Sequence, residues 1–91
     1  LNELLADARA LWAVRVLDAK LALMPAETAW ETNRGGSGAH YVDFTDGMRD
    51  TLDGPWDGCM GATPDAARLA AAEAVFPTLP ADVRAELGER P

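Results

Sequence analysis

The stretch His40-Tyr41-Val42-Asp43-Phe44-Thr45-Asp46-Gly47-Met48-Arg49-Asp50-Thr51-Leu52-Asp53 decides the fold. It reads in two ways. Tyr41 to Thr45 alternates weakly, as a short strand would. The helical reading accounts for more of it. Tyr41, Phe44, Met48 and Leu52 follow a 3-4-4 spacing and share one face. Asp43, Asp46, Asp50 and Asp53 follow a 3-4-3 spacing on the opposite face, and Asp57 continues the series. Gly47 costs such a helix about 1 kcal/mol, and Gly54-Pro55 ends it.

Upstream, residues 2–24 give the strongest helical signal. Asn2 is a suitable N-cap, Glu3 suits the positive end of the helix dipole, and no Gly or Pro intervenes before Pro25. The segment carries two apolar stripes. Leu5, Trp12, Val16 and Leu23 form one; Ala10, Val14, Leu17 and Leu21 form the other. One stripe suffices for a surface helix, so two imply either a central helix with neighbours on both sides or one stripe, with Val14, Leu17 and Leu21, kept for self-association. Residues 26–32 read as a short second helix with Pro25 in its first turn. Asn33-Arg34-Gly35-Gly36-Ser37-Gly38 reads as a flexible loop. It has neither the preceding strand nor the following Lys-Ser/Thr of a phosphate-cradling loop.

Downstream, residues 54–62 form a turn-rich loop carrying Trp56. Thr63 is placed to cap a helix, with Pro64 at its first position and Asp65 in its first turn. That helix runs to about Phe76, turns Leu69, Ala72, Val75 and Phe76 inward, and stops at Pro77. A last short helix starts near Asp82 and closes at Gly88. The expected fold is all-α: a small irregular bundle of four to five helices with a Gly-rich loop, one domain over residues 1–91.

Composition bounds the function. Apolar residues make up 48% of the 91, which argues against global disorder. Eighteen are alanines, which favour helix but bury little area, so the core is modest. Net charge is −7, from 15 acidic and 8 basic residues. That balance opposes direct nucleic-acid binding and an anionic membrane surface, both of which draw on Lys and Arg. It suits a basic protein partner or plain solubility. No run of 18 apolar residues exists to span a membrane. The first residues carry no basic region typical of a signal peptide and no initiating Met, so residues ahead of Leu1 are expected. One cysteine, Cys59, rules out an internal disulfide and suggests the cytoplasm. Abundant Ala, Gly, Asp and Arg, with a single Lys, point to GC-rich coding of bacterial or phage type.

The Asp series is the most distinctive candidate site. It serves as a solvated helix face, as a docking surface for a basic partner, or as a cation site. The 3-4 spacing lacks the alternate-residue ligands and closing Glu of a calcium loop. Its pitch also permits mimicry of DNA phosphates. Trp56, in the Gly/Pro loop, is the candidate binding anchor. His40 is the lone histidine, and with Cys59 it falls short of a zinc ligand set. A Cys-His dyad has no visible third member, and acidic neighbours oppose thiolate formation at Cys59. Glu27 and Glu31, spaced i, i+4, lack the Glu-x-x-His pairs of a di-iron site. No catalytic residue, metal or cofactor is indicated.

The leading functional expectation is a small acidic interaction or regulatory module that binds a protein partner, Asp43, Asp46, Asp50, Asp53, Asp57 and Trp56 being its contact residues. The alternatives are an acidic nucleic-acid mimic and a small enzyme or accessory subunit using His40 with the Asp cluster. If the Asp residues are solvated, Asp46→Asn with Asp50→Asn will leave the melting temperature unchanged or raise it. Like charges one turn apart cost roughly a few tenths of a kcal/mol. A drop in stability would identify buried carboxylates instead.

Overall fold

A 21-residue helix, α1 (Asn2–Ala22), runs along one side of the molecule. Its inward arc is Trp12, Ala13, Val16 and Leu17, all buried. The arc draws on the inner edges of both apolar stripes, while Leu5 and Leu23 of the first remain exposed. Arg9 and Lys20 lie on the same arc toward the helix ends. Arg9 Nε donates to the carbonyl of Pro91 (2.9 Å) and Lys20 Nζ to Thr78 Oγ1 (3.3 Å). Their long stems let the charged tips reach past the core, which holds no charged side chain among the described residues. The computed structural model describes residues 2–24, 28–35, 38–45 and 60–91.

The all-α expectation fails at residues 29–34, 40–45 and 60–61. In place of a second helix there is a strand, β1 (Ala29–Arg34), and in place of the helix begun at Tyr41 there is β2 (His40–Thr45). A two-residue strand, β3 (Met60–Gly61), completes an antiparallel sheet in the order β1-β2-β3. The register pairs Trp30 with Phe44, Thr32 with Val42 and Arg34 with His40. The structure is therefore a mixed helix-and-sheet fold and not a four-to-five-helix bundle. The physical reason lies in pairing. Val42 and Phe44 are buried while the alternate residues Tyr41 and Asp43 are only half-buried, the period-2 pattern of a one-sided sheet. Across the hairpin, Trp30 and Thr32 give β2 aromatic and β-branched neighbours that no isolated segment has.

The Gly-rich loop is the connection of this hairpin. Gly35 N–H donates to the carbonyl of Ala39 (2.7 Å), Gly38 N–H donates to that of Gly35 (3.0 Å), and Gly38 takes the left-handed conformation at φ 89°. Gly38 is suited to this left-handed position, which a side chain would strain.

After β3, α2 (Pro64–Val75) begins where the sequence indicated. Thr63 Oγ1 accepts from Ala66 N–H (3.1 Å), and Pro64 occupies the first turn. Its inner face is narrower in side-chain size than expected. Ala67, Ala71, Ala72 and Val75 are buried, whereas Leu69 and Phe76 pack at the margin of the core. A 3-10 turn (Phe76–Thr78) leads to α3 (Ala81–Leu87), which Gly88 closes at φ 76°. Trp12 joins this last element to α1. Its indole N–H donates to the Gly88 carbonyl (2.8 Å), and its ring lies 5.4 Å from that of Phe76.

Gly61 fixes how closely α2 sits on the sheet. A Cβ at this position would fall 2.6 Å from both the Ala66 Cβ and the Ala67 backbone nitrogen. Backbone cannot swing aside as a side-chain tip can. Gly61→Ala is therefore expected to lower unfolding free energy by about 1–3 kcal/mol, read from denaturant titration. An unchanged midpoint would mean that α2 and β3 do not touch in this way.

Candidate interaction site

The sheet has a covered face and an open one. On the covered face, Trp30 Nε1 donates to Asp18 Oδ1 of α1 (2.8 Å), and Arg68 of α2 donates to Thr32 Oγ1 (3.2 Å). Arg68 also pairs with Asp65 in the first turn of its own helix. His40 shares the parity of Val42 and Phe44 and stands between Arg34 and Gly61 at the end of the sheet, half-buried. Among the described residues, no three His, Cys, Asp or Glu side chains gather as a metal site would require.

Asp43, the first member of the acidic series, lies on the open face of β2. It is directly opposite Glu31. Like charges facing one another across strands are unfavourable, and here one amide serves both. Asn33 Nδ2 donates to Asp43 Oδ2 (3.0 Å) and to Glu31 Oε1 (3.4 Å). Asp43 thus belongs to a cross-strand polar cluster and not to a helical row. Nor does Glu31 form a helical i, i+4 pair. Asp46, Asp50, Asp53, Asp57, Trp56 and Cys59 lie outside the described residues, as do Glu27 and Pro25.

No family model, curated protein or solved structure matches this chain.

The predicted oligomer face is placed elsewhere than expected. Leu17 is fully buried in the core, Leu21 packs against it, and Val14 is half-buried. Leu17 is thus covered by the chain itself. What α1 does present to solvent is a third line. Leu4 is 73% exposed and Leu11 62% exposed, with exposed Ala8 between them. Leu5 is exposed beside them, and Leu23 at the far end of the helix. The signal was legible as an i, i+4, i+7 spacing of Leu4, Ala8 and Leu11, but the two longer stripes masked it.

Next to this line, across Asp7, a cleft of about 240 Å³ opens between the first half of α1 and the start of α2. Ala6, Ala10, Ala66 and Leu69 make its apolar wall, and Asp7, Arg9 and Asp65 its polar one. The short alanine side chains leave this space unfilled.

Asn33→Ala is expected to cost about 0.5–1.5 kcal/mol, because it removes the amide that separates two carboxylates. Glu31→Gln on that background should recover part of the loss by removing one of the charges. A double-mutant cycle with no coupling between positions 31 and 33 would show that the cluster adds nothing to the hairpin.

Proposed function

We propose that this protein acts by binding another protein through the outward side of the first half of α1. The observation that carries the reading is the exposure of Leu4 and Leu11 on one line of a helix whose opposite arc is buried. Two leucines left in water two turns apart, with Ala8 between them, match the spacing of the apolar anchors by which helices enter a partner's groove. The adjacent cleft, with its alanine wall, offers room for an apolar side chain from that partner.

The acidic balance sets the partner's character. A net charge of −7 repels acidic proteins and nucleic acid and draws basic surfaces together faster at low salt. Contact is then made by leucine, and approach is guided by charge. The lone cysteine supports action in the cytoplasm. No helix among the described residues is long and apolar enough to cross a membrane.

Leu4→Glu with Leu11→Glu tests the reading. Both side chains are exposed, so the far-UV spectrum and melting temperature should stay near those of the wild type. A protein captured from native lysate by the wild type should be lost by the double variant. Equal capture by the two, with the fold intact, would remove α1 from the contact.

A further inference from the structure

The sheet ends on one side at β1, since β2 lies between β1 and β3. The alternation of backbone bonds says which groups β1 turns outward. Gly35 N–H bonds to Ala39 O at the head of the hairpin. Bonded pairs then recur at every second position, Asn33 with Tyr41, Glu31 with Asp43 and Ala29 with Thr45. Trp30, Thr32 and Arg34 therefore aim their N–H and C=O groups away from β2. Three donors and three acceptors line the edge. Among the described residues no strand pairs with them. Several of the usual guards of an edge are missing, although β1 carries charges at Glu31 and Arg34. β1 holds no proline and no lysine, and its six-pair register with β2 is unbroken by a bulge.

We infer that β1 pairs antiparallel with β1 of a second copy, about a two-fold axis at Thr32, joining two three-stranded sheets into one of six strands. The strand is complementary to itself in that register. Trp30 exchanges backbone bonds with Arg34 of the second copy, Thr32 with its counterpart, and Arg34 with Trp30 of the second copy, six hydrogen bonds in all. Directly opposed residues share a face of the sheet. On the covered face, the Arg34 guanidinium of the second copy meets the Trp30 ring. Beside that ring stands the Asp18 carboxylate, to which Trp30 Nε1 is bonded at 2.8 Å. On the open face, Glu31 stands opposite the neutral Asn33 of the second copy. No like charges are opposed. Neighbouring two-fold registers keep two bonded pairs where this one has three, and one of them sets Glu31 against Glu31. This surface is separate from the Leu4–Leu11 line, and self-association does not depend on the partner-binding role of α1.

The test is sedimentation over a concentration series, with a cross-link that reports register. Wild type should sediment as a dimer at the upper concentrations. Arg34→Glu, which places a carboxylate beside Asp18 of the second copy, should weaken the dimer by about tenfold or more. Leu4→Glu with Leu11→Glu should leave it unchanged. Glu31→Cys and Asn33→Cys are then made separately, each with Cys59→Ser. Opposed non-bonded positions place Cα atoms about 4.5 Å apart, within disulfide reach. A covalent dimer should form on oxidation when the two versions are mixed, and not from either alone. A monomer at every concentration overturns the proposal. So does a dimer that Arg34→Glu spares and the leucine variant abolishes. Cross-linking of the Glu31→Cys version with itself, or none in the mixture, overturns the register.

Discussion

Trp12 is buried on α1, its ring tilted against Phe76 and its indole N–H bonded to the Gly88 carbonyl. That placement demands cover on two sides of one helix. On one side α2 and the sheet close over Val16 and Leu17. On the other, the chain must return from the 3-10 turn to α3 and lay its last residues along α1. A chain so rich in alanine has few large side chains to spend, and Trp12, Leu17 and Phe44 supply much of the core volume. The indole bond matters because a buried N–H without an acceptor would cost more than the bond itself contributes.

Small residues set the remaining geometry. Ala67, Ala71 and Ala72 on α2, and Ala13 on α1, are fully buried and thin. Helices and sheet can approach closely where such residues face inward. Gly61 takes this to its limit, with the first turn of α2 resting where its side chain would be. The same economy contributes to the open cleft near Ala6 and Ala10, where three of the lining residues are alanines.

Much of the helical frame was legible. Thr63-Pro64 at the head of α2, Pro77 after it and Gly88 at the end of α3 act locally, so their residue types carry the message. The hairpin was not legible in the same way. Tyr41 and Phe44 satisfy helical spacing, but what fixes Val42 and Phe44 inward is Thr32 and Trp30 on the paired strand, ten to fourteen residues earlier. Residues 26–32 also satisfy helical spacing, so the two helical readings support one another. Asp43 stands out in the sequence as an acidic position, but its neighbours are the cross-strand Glu31 and Asn33. The apolar character of Leu17 and Leu21 is legible, whereas their packing within the same chain depends on contacts distant in sequence.

The contacts between the first and last elements also bear on how the molecule is made. Trp12 meets its acceptor 76 residues later, and Arg9 reaches a carbonyl 82 residues later. During synthesis α1 emerges before any element that covers it. Its Trp12 side stays uncovered until the α3 segment has left the ribosome, long after the hairpin has been able to close on itself. Contacts of such sequence separation form slowly. The nascent chain therefore carries a helix with three apolar lines in water for most of its translation. α1 itself balances three acidic residues (Glu3, Asp7, Asp18) with three basic ones (Arg9, Arg15, Lys20), so any charge repulsion between such chains must come from the segment that follows it.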